Sequence, residues 1–165
     1  MIAAVVLAAG AASRYGSPKQ RVFLPAVLGK LALTSVDTVV VVEGAHSLAG
    51  LELGDARLVR CADWVDGPGA SLRCGLRALG DDVEAAVVVL ADGPELDPRA
   101  VERLIVHRGD APVVAATYDG TRNHPAVLAR SAWDDVPDEG ARGLAATLVD
   151  CSDLEPPGDV DRPLG

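Results

Sequence analysis

Four short runs of small apolar residues, Ile2–Ala8, Thr38–Val42, Ala85–Leu90 and Pro112–Thr117, constrain the fold more than any other feature of the chain. They show no alternation of polar and apolar positions, so each reads as a strand covered on both faces. Helix-compatible stretches lie between them at Pro25–Leu33, Gly69–Leu79 and Pro98–Arg108, and Ala56–Arg60 and Pro125–Leu128 read as shorter strands. Strands and helices in alternation build a largely parallel sheet with helices on both sides, an α/β Rossmann-like three-layer domain. Phe23, Trp64, Trp133, Tyr15 and Tyr118 are the aromatic residues, which leaves Ala, Val and Leu to build the core. Tightly packed α/β layers suit such a core better than a β-sandwich plugged by aromatic rings.

The 165 residues suit one domain, spanning 1–165. Its clearest helix signal is at Pro98, where Asp97 is an N-cap, Pro98 takes the first helical position and Val101, Leu104 and Ile105 share a face. Ser71 is placed to cap the second helix, and Glu139–Leu148 is compatible with a last one. From about residue 153 the tail reads as irregular, with Pro156, Pro157, Gly158 and Pro163 breaking any repeat.

A formal charge of −9 disfavours a broad surface for nucleic acid or anionic membrane, because such partners are held by cationic patches. The charge is unevenly spread. Residues 1–36 contain no Asp or Glu, and Arg14, Lys19, Arg21 and Lys30 fall there, so a cationic pocket for a small anion sits in an acidic body. Cys61, Cys74 and Cys151 have no C-x-x-C spacing and read as small buried hydrophobes rather than disulfide or zinc residues. Met1–Ala12 superficially resembles a signal-peptide core, but it lacks a basic leading region and scans equally as a buried strand. No stretch reaches the roughly 18 apolar residues of a membrane span, so a cytoplasmic protein is expected.

The loop after the first strand carries the most chemistry. Small residues at Ala8, Ala9, Gly10, Ala11 and Ala12, which follow Leu7, let a ligand come close to the backbone, which can then offer N–H groups to phosphate oxygens. Arg14 and Lys19 add the fixed charge that a polyphosphate requires. The spacing excludes two commoner motifs. Gly10 and Gly16 are too far apart for the Walker pattern, and Ala12 stands where the dinucleotide fingerprint needs its second glycine.

What the segment does match is L-A-A-G-x-x-x-R-x-G-x-P-K, running from Leu7 to Lys19. By this motif the chain resembles the MobA-like NTP transferase family, typified by molybdenum cofactor cytidylyl- and guanylyltransferases. The resemblance continues along most of the chain. Gly69-Ala-Ser71-Leu-Arg73-Cys-Gly-Leu is similar to the family's G-x-S-x-S-L-x-x-G-L element beside the nucleotide, and implies nucleotide contacts for Gly69 and Ser71, with Arg73 as a weaker phosphate candidate. Leu90-Ala-Asp92-Gly-Pro94 resembles the L-A-D-x-P signature, in which the carboxylate holds Mg²⁺. Asn123-His124-Pro125 resembles G-H-P with Asn in place of Gly, Asp138–Arg142 resembles the G-D-x-G-A-R stretch that borders the acceptor pocket, and Asp159-Val-Asp161-Arg-Pro163 resembles D-x-D-T-P.

These matches imply a fold of the nucleotide-diphospho-sugar transferase type and a Mg²⁺-dependent nucleotidyltransferase. Lys19, Arg14 and Asp92 would be its catalytic groups, and Asp92 and Asp161 would hold the metal, Asp161 being preferred over Asp159. The substrate would be a nucleoside triphosphate, CTP rather than GTP because the loop reads L-A-A-G. The acceptor would be a small phosphate ester such as molybdopterin, a sugar phosphate or phospholactate, and the protein a monomer or homodimer. The chain departs from the family in a short Gln20–Ser35 segment and an abbreviated end, which keeps a second reading open: a nucleotide-binding protein of this fold without transferase activity.

Overall fold

The computed structural model describes residues 1–8, 19–44, 47–48 and 50–158, residues 19–21 in backbone only. Among them, seven strands form one sheet: β1 (Ile2–Ala8), β2 (Thr38–Glu43), β3 (Arg57–Arg60), β4 (Ala85–Leu90), β5 (Val113–Tyr118), β6 (Thr121–Ala129) and β7 (Thr147–Asp150). They lie in the order β3-β2-β1-β4-β6-β5-β7. β6 runs antiparallel to both its neighbours, and the other pairings are parallel. The helices are α1 (Lys19–Leu31), α2 (Pro68–Arg77) and α3 (Pro98–His107).

Strand alternation divides the core into two layers. Ala4, Val6 and Ala8 of β1 face a cluster containing Leu24, Val27 and Leu31 of α1 and Ala100, Val101 and Leu104 of α3. Ala3 and Val5 face the other side, with Leu72 and Leu76 of α2, Val88 and Trp133. Each central strand is therefore covered on both faces, which accounts for its unbroken apolar run. The approach of α2 to the sheet depends on Gly75, where an added Cβ would lie 2.7 Å from Val42 Cγ2 and 2.8 Å from Val5 Cγ1.

The start of α3 is as the sequence reads: Arg99 N–H donates to Asp97 Oδ1 at 2.9 Å, and Pro98 opens the helix. Four other expectations need correction. α1 runs 19–31 rather than 25–33, so Pro25 lies inside it; the buried stripe of Leu24, Val27 and Leu31 outweighs the one backbone hydrogen bond a proline removes. Ser71 does not cap α2. The N-cap is Gly67, at φ 112°, and Ser71 lies one turn inside the helix with 2% of its surface exposed.

The third correction is larger. Glu139–Leu148 forms no α-helix; it contains a 3₁₀ turn at Ala141–Gly143 and then enters β7. Gly140, at φ 90°, and Gly143 break any helical run, and Thr147–Asp150 gains ladder bonds by pairing parallel to β5. β6 is also longer than the expected 125–128. Asp119 and Gly120, at φ 52° and 82°, make the two-residue turn of a β5–β6 hairpin, so the extra residues pair back onto β5.

Candidate functional site

The site lies at the carboxyl ends of the parallel strands. β1 and β4 are neighbours, with Leu7 in register with Leu90, and Ala91 N–H donates to Leu7 O at 3.0 Å. The end of β1 and the start of the turn carrying Asp92 therefore lie side by side, a few ångströms apart as adjacent strands must be. Asp92 is partly exposed two residues beyond the end of β4. Lys19 is the first residue of α1. Ala9, Gly10 and Arg14 lie outside the described residues, as does the side chain of Lys19.

The C-terminal segment returns to the same place. Glu95 N–H donates to Pro157 O at 2.9 Å, and a Cβ on Gly93 would lie 3.1 Å from Pro157 Cβ. Asp159 and Asp161 are outside the described residues; Gly158, before them, lies against Glu95. Glu43, unremarked in the sequence, closes the other side. It is in register with Ala8 at the end of β2, is 7% exposed, accepts Leu48 N–H on Oε2 at 2.7 Å, and lies 3.6 Å from Arg60.

Next to these strand ends is a cavity of about 440 Å³. Leu7, Val88, Leu90 and Ala126 give it an apolar floor, while Arg122, His124, Glu139 and Arg142 supply polar groups around it. The sequence-predicted His124 and Arg142 are thus brought together with the tips of β1 and β4. Arg142 is exposed and makes no ion pair among the described residues. His124 is buried, and its Nδ1 accepts Leu90 N–H at 3.4 Å, which in the neutral ring puts the proton on Nε2. Gly93 makes room for the imidazole, because a Cβ there would stand 2.7 Å from His124 Cε1. Asn123, at the family's usual glycine position, accepts His124 N–H on its own Oδ1 at 2.8 Å.

The Gly69–Leu76 element packs against the segment at residues 136–138. Gly69 N–H donates to Asp138 O at 2.9 Å, and a Cβ at residue 69 would fall 1.7 Å from Pro137 O, so this glycine is where the cavity wall meets α2. Arg73 is also turned to that wall: Nη1 donates to Val136 O at 2.7 Å and Nη2 to Asp138 Oδ1 at 3.0 Å. Arg122, which the sequence did not single out, donates to Leu144 O at 2.8 Å and Ala141 O at 2.9 Å. Burial lowers its guanidinium below the usual range. Its signal in the sequence was the Asp119-Gly120 hairpin turn, which places residue 122 at the open end of β6 rather than in a loop. Burial, with the Cys61 thiol beside it, pushes the Cys74 thiol up to about 11, and Cys61, Cys74 and Cys151 are all unpaired. No helix among the described residues is long and apolar enough to cross a membrane.

Residues 4–151 match the family model of the MobA-like NTP transferase domain. No curated protein sequence matches the chain. Among solved structures, Rv0371c from Mycobacterium tuberculosis H37Rv superposes with a TM-score of 0.82 at 25% identity, covering 98% of this chain and 93% of that one. The same protein in complex with manganese gives 0.66 at 23% identity, over 90% and 88% of the two chains. A nucleotidyl transferase from Methanothermobacter thermautotroptrophicus gives 0.73 at 23% identity, over 98% and 92%. CMP:2-keto-3-deoxy-manno-octonic acid synthetase complexed with CTP gives 0.69 at 14% identity, over 98% and 93%. The fold is that of the nucleotide-diphospho-sugar transferase type.

Proposed function

The chain belongs to the MobA-like NTP transferase domain family, and from that premise we propose that it moves a nucleoside monophosphate from CTP to a small phosphorylated acceptor, with release of pyrophosphate. The observation that carries this reading is the position of the cavity: Leu7 and Leu90, the last or next-to-last residues of β1 and β4, line it. A ligand in the cavity would be adjacent to whatever the residue 9–18 loop and the Asp92 turn hold. Two reactants in contact across one strand pair meet the positioning demand of a group transfer.

In this reading Leu7, Ala8, Ala9 and Gly10 offer backbone to the triphosphate, and Lys19 and Arg14 neutralise it and the departing pyrophosphate. Asp92 supplies a hard oxygen donor that fits Mg²⁺, and Asp161 is the second carboxylate. Three residues of extended chain reach at most about 10 Å, and Gly158, which starts that path, packs against Glu95. When bound, the ion would offset charge on the attacked α-phosphate. An acceptor phosphate is already ionised at neutral pH, so no residue need act as general base. The manganese and CTP in the names of two similar structures support the metal and the nucleotide. Molybdopterin is the first acceptor to test, because the family resemblance points to it.

The test is pyrophosphate release with Mg²⁺ and CTP or GTP against a panel of phosphate esters that includes molybdopterin. Turnover with CTP and one ester supports the proposal. Tight nucleotide binding without pyrophosphate release for any of them would favour the binding-protein reading instead.

A further inference from the structure

The wall formed by residues 136–144 contains no strand or α-helix, and one 3₁₀ turn cannot hold itself in place. It is held from two sides. Arg73 and Gly69 grip its beginning at Val136 and Asp138, where it meets α2. Arg122 reaches from β6 to its far end and donates to the carbonyls of Ala141 and Leu144. Arg142 is the second residue of the turn Ala141–Gly143. The two carbonyls taken by Arg122 thus bracket Arg142, and a single planar guanidinium fixes the backbone on both sides of it.

We propose that Arg122 is a positioning residue, which orients Arg142 at the cavity so that Arg142 takes the anionic end of the acceptor. The inference rests on the reading of the cavity as the acceptor site. One N–H of each Arg122 amino nitrogen is taken by a backbone oxygen of the turn, which ties the position of the turn to Arg122. A lysine would keep the charge but replace the planar fork by a single nitrogen, which does not reproduce two donations from separate nitrogens.

The experiment is a double-mutant cycle on Arg122→Lys and Arg142→Ala, read as affinity for inorganic phosphate by calorimetry at constant ionic strength. Mg²⁺ and α,β-methylene CTP are included to fill the nucleotide site. Arg142→Ala should weaken phosphate binding about tenfold, the scale of a lost charge-assisted hydrogen bond. Arg122→Lys should weaken it comparably although the charge is unchanged, and the double variant should bind no worse than Arg142→Ala alone. A purely structural role for Arg122 would give additive losses. Additivity, a parental affinity in Arg122→Lys, or no phosphate binding by the parent protein would overturn the proposal.

Hydrogen exchange in the parent protein gives a second measure that requires no variant to fold. Gly143 and Leu144 N–H close the turn on Gly140 O and Ala141 O, both at 3.0 Å, and phosphate should slow their exchange. Unchanged exchange on phosphate saturation would also overturn the proposal. Failure of the nucleotide analogue to bind the parent would be seen separately and would count against the transferase reading; the phosphate titration, repeated without it, would still test Arg122.

Discussion

The imidazole of His124 takes over a backbone hydrogen bond from the sheet: its Nδ1 accepts the N–H of Leu90, just where the β4–β6 pairing has ended at Val88 and Ala126. A side chain on the antiparallel strand thereby ties down the end of the parallel strand that leads to Asp92. Tyr118 Oη donates to His124 O at 3.2 Å and steadies the same residue from β5.

His124→Ala should leave Leu90 N–H without that acceptor at the edge of the cavity. The expected cost is about 1 kcal/mol, the net worth of one intramolecular hydrogen bond, since Leu90 is only partly buried. Turnover should fall as well, because the Asp92 turn loses its support. Urea unfolding with a pyrophosphate-release assay checks both, and a fully stable, fully active variant would contradict the arrangement.

Two glycines should resist even the smallest substitution, for different reasons. Gly75→Ala forces a methyl against Val5 and Val42 in the packed core, with an expected cost of about 1 to 3 kcal/mol. Gly69→Ala meets backbone, Pro137 O and Asp138 Cα, which cannot swing aside as a side chain does. It should dislodge the cavity wall, and amide exchange across residues 136–144 should accelerate more than in Gly75→Ala. Equal exchange patterns in the two variants would refute the distinction.

Acid should release the C-terminal segment from α3. Arg103 donates to both carboxylate oxygens of Asp153, at 2.6 and 2.9 Å, and this holds the Asp153 carboxyl down to about 2 from an ordinary 3.8. A carboxyl held low in the folded chain contributes stability above its ordinary pKa and loses it as pH falls toward the folded value. Proteolytic sensitivity around residues 151–158 should therefore rise between pH 3.8 and about 2. Asp153→Asn should remove the step; an identical step in that variant would show that the pair is not its cause.

Asp92→Asn should abolish most Mg²⁺-dependent turnover while leaving the fold intact, since the residue is partly exposed at a strand tip. Lys19→Ala should weaken nucleotide binding or slow the reaction by about 2 to 4 kcal/mol, the scale for losing a charge partner at a developing anion. Nucleotide calorimetry and steady-state rates separate these effects. Near-parental rates in Asp92→Asn would remove it from the metal site.

The sequence by itself determined the elements whose signal is local. Unbroken apolar runs fixed β1 and β4 to the residue, because a strand buried on both faces has no position for a polar side chain. Asp97 and Pro98 fixed the start of α3, because capping involves only neighbours in the chain. Leu7, Asp92, His124 and Arg142 were named from short stretches of fixed spacing, which are likewise local.

Only the tertiary structure decided which of those residues lie around one cavity. Residues 139–148 gave up a possible helix because β7 gains an open edge of β5, and the turn before it gains the two hydrogen bonds of Arg122. Gly69 and Arg73 engage the wall at 136–138, an interaction across more than 60 positions of sequence. Such contacts leave no local pattern, because their energy depends on which distant backbone atoms the sheet order brings within a hydrogen bond's length.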